Sequence, residues 1–140
     1  MAFWLFKEEP DHYSYGDLER DGRTTWDGIT NNLALQNLRK VLPGDRVFFY
    51  HTGKDKAVVG EMRVLTQPHA GDEDSPVVVE VEPVRPFAHP VPLSAIKADA
   101  KLAGWDLVRL PRLSVVPVTQ KQWQRVVELS KGSPTRARHP

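Results

Sequence analysis

The run Val47-Phe48-Phe49-Tyr50 constrains the fold of this chain most, because consecutive β-branched and aromatic residues are typical of a strand that is buried on both faces. The run ends in His51, a polar residue that such a strand would deliver to the mouth of a cavity. Residues 26–51 also contain a tryptophan turn and a short helix, and the rest of the chain frames this stretch.

The short helix is predicted between the tryptophan turn and that strand. Thr30 or Asn31 can cap its start, and the apolar residues Ala34, Leu38, Val41 and Leu42 recur at three- and four-residue spacing. Pro43-Gly44 ends it.

The remaining elements are also short. Strands are predicted at 2–6, 57–65, 77–84, 107–110 and 113–118. Gly60 marks a bend or bulge in the second of them. Helical segments are predicted near 17–20, 94–96 and 100–103 and from Thr119 onward. Strands this closely spaced leave no room for regular crossovers, so the predicted fold class is α+β, a small and mostly antiparallel β-barrel with short helices inserted at its rim.

Length and composition limit the possible functions. The 140 residues suit one domain, which we place at 1–130, followed by a basic disordered tail at 131–140. Cysteine is absent, which excludes disulfides, thiolate metal ligands and a cysteine nucleophile. No apolar run approaches the length of a membrane span, and the charged start does not resemble a signal peptide. We therefore expect a cytoplasmic monomer without a membrane partner.

Positive charge is concentrated in the last third of the chain. The net charge is only +1, but nine basic residues stand against three acidic ones from Lys97 to the end. This pattern is typical either of a solvated helix face with a basic tail or of a nucleic-acid contact surface, and both interpretations stay open.

Aromatic side chains are the first candidates for a binding site. Trp4, Trp26, Phe49 and Tyr50 could line one cavity and hold a flat ring by stacking, or they could be core residues. Because Trp26 stands beside polar residues, we interpret it as a ligand wall, whereas Trp123 is interpreted as core.

Polar candidates accompany the aromatic ones. Asn31 and Asn32 carry paired amide donors and acceptors that could read a base edge, although helix capping explains them equally well. Lys7 with Arg112 could bind phosphate, and Ser114 could donate a hydrogen bond to an anion or a base carbonyl, unless these are solvated surface residues.

Catalytic and metal sites find little support. Ser114, His51 and Asp27 contain the groups of a catalytic triad, but no G-x-S-x-G elbow surrounds the serine. The five histidines form no i, i+4 pair, so no metal site and no cofactor is expected. We interpret His51 as a pocket or hydrogen-bonding residue.

Four segments of the chain resemble the EVE domain family of the PUA-like superfamily. They are F-W-L-F-K-E-E-P from Phe3, W-D-G-I-T-N from Trp26, G-D-R-V-F-F-Y-H from Gly44 and L-V-R-L-P-R-L-S-V-V-P-V from Leu107. The segments follow one another in the family's order and spacing, and the match extends to about Ser130. Four separate matches are far more specific than any single one.

The resemblance implies a PUA-like β-barrel with an aromatic pocket for a modified nucleobase, such as a methylated or hydroxymethylated cytosine, in DNA or RNA. It implies binding without catalysis. Carried over motif by motif, the pocket residues would be Trp4, Lys7, Trp26, Asp27, Asn31, Asn32, Tyr50, His51, Arg112 and Ser114.

The chain departs from the family pattern at three positions. Glu8 stands where the family usually has serine or cysteine, Thr30 where it has arginine, and Asn32 where it more commonly has an aromatic residue. The first two departures remove or reverse positive charge at the rim.

The favoured function is therefore a non-enzymatic reader that accepts a flipped or single-stranded modified base, with DNA or RNA as the partner. One alternative is a hydrolase or nuclease similar to ASCH-like barrels, using Lys7 and His51 with an acid. Another is a domain that binds a small ligand such as a free nucleoside, whose affinity would depend little on salt.

Overall fold

One mixed sheet organises the fold, which we describe from a computed structural model that covers residues 1–132. In that part of the chain the strands are β1 (Phe3–Glu8), β2 (Thr24–Trp26), β3 (Arg46–His51), β4 (Ala57–Val64), β5 (His69–Ala70), β6 (Val77–Pro92) and β7 (Val115–Val118). The sheet order is β2-β6-β4-β3-β1-β7, and β5 pairs with the start of β6. Only β1 and β3 are parallel among these paired strands, and the other pairs are antiparallel. The sheet curls into a half-barrel, which confirms the predicted fold class.

Short helices lie between the strands. In the described residues they are α1 (Tyr15–Asp21), α2 (Asn32–Leu38), α3 (Leu93–Ala98), α4 (Asp106–Arg109) and α5 (Gln120–Ser130), with a 3-10 turn at Ala100–Leu102. None of them is long and apolar enough to cross a membrane. The predicted tail from residue 133 onward lies outside the described residues, and the predicted domain boundary stays a prediction.

Three of these helices begin with a side-chain cap, and the caps predicted at Asn31 and Thr119 are confirmed. Ser14 and Thr119 each form a reciprocal capping box, and the Asn31 side chain accepts the backbone N–H of Ala34. Each side chain thereby satisfies a backbone donor that the first turn of a helix leaves unpaired. At the other end of α1, Gly22 takes the left-handed conformation with φ 79°.

The central strand β3 is buried on both faces, as predicted. On one face Phe48 stacks on Trp123 of α5, with the ring centroids 3.7 Å apart. On the other face Phe49 meets Tyr15 and Trp26 edge-on, at 5.5 Å and 5.2 Å between centroids. The sheet therefore divides the core into two aromatic clusters, because successive side chains of a strand point to opposite faces.

The irregularity predicted at Gly60 is also confirmed. The pairing of β4 shifts register with β3 between Phe49 and Tyr50 and with β6 between Val58 and Gly60. A Cβ at Gly60 would stand 2.7 Å from the Tyr15 ring, so the glycine makes room for the side chain that joins α1 to the sheet.

Two predicted elements are wrong. The strand predicted at 77–84 continues through Pro83, Pro86 and Pro90 to Pro92. The stretch 107–110, predicted as a strand, belongs largely to the single helical turn α4. In that turn Asp106 pairs with Arg109 three residues on, and the N–H groups of Val108 and Arg109 both donate to the carbonyl of Trp105.

Candidate nucleobase site

One edge of the sheet brings together four of the predicted site residues, Lys7, Tyr50, His51 and Ser114. Because β1 and β3 are parallel, their carboxyl ends lie together, with Lys7 opposite Tyr50 and Glu8 opposite His51. The chain that leads into β7 reaches the same edge, where the Lys7 N–H donates to the Ser114 carbonyl at 3.0 Å. We call this edge the rim, defined by Lys7, Glu8, Tyr50, His51 and Ser114.

Lys7 and Tyr50 lie on one face of the sheet at the rim. The Lys7 ammonium donates to the Pro111 carbonyl at 2.8 Å and lies 5.6 Å from the centroid of the Tyr50 ring. Burial lowers the pKa of Lys7 and raises the pKa of Tyr50 to about 12. The Tyr50 ring is only 4% exposed, so little of it is available to stack on a ligand.

His51 lies on the opposite face and joins β3 to α1. Its Nε2 accepts the backbone N–H of Tyr15 at 3.1 Å, and its Nδ1 lies 3.1 Å from a carboxylate oxygen of Asp55. An acceptor at Nε2 places the proton on Nδ1, which then donates to Asp55. Both ring nitrogens are thus engaged within the protein, which fits the hydrogen-bonding role predicted for this residue.

Trp26 is both a core residue and part of a cavity wall. It is 4% exposed and packs against Phe6 and Phe49, with ring centroids 5.5 Å and 5.2 Å away. The prediction treated ligand wall and core as alternatives. In the structure most of the ring fills the core, and its remaining surface borders a cavity at the end of β2.

That cavity has a volume of about 210 Å³ and is lined by Glu8, His12, Tyr13, Thr24, Thr25, Trp26 and Asp27. We call it the acidic cavity. Its wall at Asp27 is fixed by the next residue, because the Gly28 N–H donates to the Ser75 hydroxyl oxygen at 2.7 Å. The loop after β2 is therefore tied to the segment before β6.

The charged groups that line the acidic cavity are mainly carboxylates, which accept hydrogen bonds. One Glu8 carboxylate oxygen lies 3.1 Å from Nδ1 of His12, and the other accepts the Glu9 N–H at 3.0 Å. The hydrogen bond to Glu8 raises the pKa of His12 above its ordinary value of 6.5. Asp27 adds a second carboxylate, so the cavity suits a ligand that presents N–H donors.

A second depression has a different lining. It has a volume of about 320 Å³ and is lined by Asn31, Leu33, Arg109, Leu110, Pro111, Arg112 and Leu113. We call it the apolar groove. The predicted site residues Asn31 and Arg112 belong here, and the helix-cap interpretation of Asn31 is confirmed, since its side-chain oxygen accepts the Ala34 N–H at 3.0 Å.

The structure separates two predicted residues from the rest. Trp4 is buried at the start of β1, where its indole N–H donates to Asp45 at 3.0 Å. It pairs with Val47, three positions before the Lys7–Tyr50 pair, which corresponds to about 10 Å along a strand. Asn32 is the exposed first residue of α2 and lines neither depression.

Several lining residues escaped the sequence prediction. For the acidic cavity they are His12, Tyr13, Thr24 and Thr25, together with Glu8, which the sequence marked only as a departure from the family. For the apolar groove they are Leu33, Arg109, Leu110, Pro111 and Leu113. The four-residue spacing of Glu8 and His12 was a usable signal, because it allows an acid–base pair in a turn of chain.

The basic last third does not form one continuous surface in the described residues. Arg125 pairs with Asp99 at 2.8 Å and lowers the pKa of that carboxyl group, whereas Arg109 and Arg112 lie at the apolar groove. The positive charge near the rim therefore comes from the end of α4, from Arg112 in the segment that follows it, and from Lys7.

The curled mixed sheet with short rim helices places this protein in the PUA-like class. A family model described as the EVE domain matches residues 2–129. The chain belongs to the EVE domain family, as the sequence resemblance indicated.

Known relatives agree with this assignment. Human thymocyte nuclear protein 1 is 28% identical over 171 residues, which covers 96% of this chain and 76% of the human protein. A structure of human THYN1 in complex with 5-methylcytosine-containing DNA has 26% identity, a TM-score of 0.87 and coverage of 96% of this chain and 100% of that one. An NMR structure of a Rhodopseudomonas palustris protein has 30% identity, a TM-score of 0.87 and coverage of 99% and 100%.

A more distant likeness bears on the enzyme alternative. An ASCH protein from Zymomonas mobilis has a TM-score of 0.60 and 14% identity, and it covers 91% of this chain and 95% of that one. Identity at this level reflects a shared fold alone.

Proposed function

We propose that this protein is a non-enzymatic reader of 5-methylcytosine in nucleic acid and that it holds the modified base in the acidic cavity. The observation that carries the proposal is the pair of carboxylates, Glu8 and Asp27, beside the small part of the Trp26 surface that borders the cavity. Cytosine presents an amino group at C4, a donor that a carboxylate accepts, whereas thymine carries a carbonyl oxygen at the same position. The complex of human THYN1 with 5-methylcytosine-containing DNA supports this choice of base.

The form of the cavity favours a base that has left its stack. A recess walled on several sides by β1, β2 and the chain before α1 cannot admit a base that stays paired in a duplex. Extrusion from a duplex costs a few kcal/mol, and a single-stranded base avoids much of that cost. We therefore expect tighter binding to single-stranded or mismatched sites than to paired ones.

The rim geometry supports binding over catalysis. The enzyme alternative needs Lys7 and His51 to act on one substrate, but adjacent positions in the β1–β3 pairing turn their side chains to opposite faces. Lys7 donates to Pro111, and both nitrogens of His51 have partners. The groups that catalysis would recruit are thus apart and engaged in holding the rim together.

The test uses three single-stranded DNA oligonucleotides that differ only in one central base, which is cytosine, 5-methylcytosine or thymine. We expect the wild-type protein to bind the 5-methylcytosine strand most tightly in a fluorescence anisotropy titration. Glu8→Gln should weaken that complex by about tenfold and narrow the difference from thymine, since a good contact to a base edge contributes roughly 1–3 kcal/mol of discrimination. RNA strands of the same sequence show which nucleic acid is preferred.

Glu19→Gln is the matched control, because it removes the same charge from an exposed position of α1 outside the cavity. Its affinities should equal those of the wild type. Equal binding of all three strands by the wild-type protein would overturn the proposed function. Free 5-methyldeoxycytidine bound as tightly as the strand, without salt dependence, would favour the small-ligand alternative.

A further inference from the structure

The two depressions at the rim have opposite chemical character. The acidic cavity contains the carboxylates Glu8 and Asp27, whereas the lining of the apolar groove contains no acid and has two guanidinium groups, that of Arg109, which pairs with Asp106, and that of Arg112. Carboxylates repel phosphate, and guanidinium groups bind it with two parallel hydrogen bonds. A nucleotide chain with its base in the acidic cavity would therefore direct its phosphates toward the groove.

The two depressions are also neighbours in the fold. They flank the end of β1, where Glu8 lines the cavity and the preceding residue, Lys7, donates to the Pro111 carbonyl in the wall of the groove. One loop connects their other sides, with Asp27 at the cavity and Asn31 at the groove. Lys7 and Glu8 turn their side chains to opposite faces of the sheet, so a strand that reaches both depressions would pass around the end of β1.

The floor of the apolar groove is formed by apolar side chains that are exposed to solvent. Leu33 at the start of α2 is 43% exposed, and it lies with Leu110 and Pro111 in the lining. Arg112 at its border is exposed and forms no salt bridge within the described residues. An apolar floor with a free cation at its edge fits the face of a base and its sugar, with the phosphate at the border.

We infer that the apolar groove is a subsite for the nucleotide next to the base held in the acidic cavity. This inference rests on the proposed function and adds a second binding position to it. The neighbouring base or sugar lies on Leu33 and Pro111, and Arg112 contacts the phosphate that links the two nucleotides. The groove thereby selects a strand over a free nucleoside.

The experiment measures the contribution of the neighbouring base directly. One single-stranded oligonucleotide carries 5-methylcytosine between ordinary nucleotides, and a second has abasic positions on both sides of it with every phosphate kept. We expect the wild-type protein to prefer the first strand by about tenfold, the size expected for one stacked base. Leu33→Glu should reduce this ratio to near one, because the introduced carboxylate replaces the apolar floor.

Leu42→Glu is the matched control. It makes the same chemical change at a leucine that is 57% exposed and lies between α2 and β3, close to the start of β3 rather than the rim. This variant should keep the wild-type ratio, and circular dichroism melts of both variants report whether they fold alike. A wild-type ratio near one, or a ratio unchanged in Leu33→Glu, would overturn the subsite.

A further ratio separates this inference from the proposed function. The preference for 5-methylcytosine over cytosine in otherwise identical strands should survive in Leu33→Glu, because the acidic cavity is unchanged. Loss of that preference in a folded Leu33→Glu protein would show that the groove is not a separate subsite. If the wild-type protein itself lacks the preference, the proposed function fails and the subsite assignment fails with it, whatever the abasic strands show.

Discussion

The pair formed by Glu8 and His12 sets the charge of the acidic cavity. The carboxylate favours the protonated imidazole, so His12 stays positive to a higher pH than an isolated histidine. Once His12 is neutral, Glu8 has no cationic partner among the residues that line the cavity. The negative charge that meets the ligand therefore grows as the pH rises through the titration of His12.

A pH titration of the His12 ring by NMR tests this pair. We expect its midpoint above 6.5 in the wild-type protein and closer to 6.5 in Glu8→Gln. Because the pKa is raised on folding, the stabilisation from this pair is present below pH 6.5 and is lost as the pH rises through the raised value. An identical midpoint in both proteins would show that the two side chains are not paired in solution, and Glu19→Gln should leave the midpoint unchanged.

The structural role of Trp4 could not be predicted from the sequence. Its place in the F-W-L-F-K segment suggested the pocket, but its indole N–H needs an acceptor when buried, and Asp45 supplies it at the other end of β1. The same carboxylate also accepts the N–H groups of Ala2 and Leu42, so it joins the start of β1 to the turn before β3. A partner 41 positions away in the sequence leaves no local pattern from which this contact could be predicted.

At the scale of elements, an aromatic stack packs α5 against the sheet. Trp123 is 9% exposed, lies parallel to Phe48 at 3.7 Å and contacts Phe3 at 4.8 Å between ring centroids. The core role predicted for this residue is confirmed. The same contact covers one face of the central strand β3.

Trp123→Ala should therefore lower the free energy of unfolding by about 3–5 kcal/mol, since it empties a large volume between helix and sheet. Urea denaturation followed by circular dichroism measures the change. Gln124→Ala, an exposed neighbour on the same helix, should change stability by less than about 0.5 kcal/mol. Equal midpoints for the two variants would mean that α5 contributes little to the fold.

Elements with a local signal were predictable, and those fixed by distant partners were not. Asn31 and Thr119 marked the starts of their helices in the sequence, because a cap acts within four residues. The second half of β6 contains prolines, which normally exclude a paired strand. In the described residues the second half of β6 pairs only with β4, and register shifts in this pairing accommodate the prolines, which lack an N–H. The sequence alone does not show these shifts.

At the scale of the whole molecule, the sequence predicted which segments meet at the rim but not how their side chains divide between the two faces of the sheet. Parallel pairing of β1 with β3 brings segments about 40 positions apart to one edge, and the four matched motifs pointed to that edge. Alternation along the strands then sends Lys7 and Tyr50 to one face and His51 to the other. The two depressions depend on how the loop after β2 and the segment before β7 lie against the end of β1, which requires the three-dimensional structure.

Arg136 and Arg138 follow α5 in the sequence, and we expect their positive charge to strengthen binding to phosphate whatever the base. A protein that ends at Gly132 keeps the backbone hydrogen bonds from Lys131 and Gly132 that close α5, so only the following segment is removed. We expect it to bind every oligonucleotide more weakly by the same factor and to keep its preference for 5-methylcytosine. Loss of two phosphate contacts should reduce the slope of log affinity against log salt by up to about 1.4 for single strands.

Arg136→Gln combined with Arg138→Gln in the full chain should reproduce this result if charge is the cause. A shortened protein that lost only the preference for the modified base would instead place the C-terminal segment in the reading site, contrary to the assignment of base recognition to the acidic cavity.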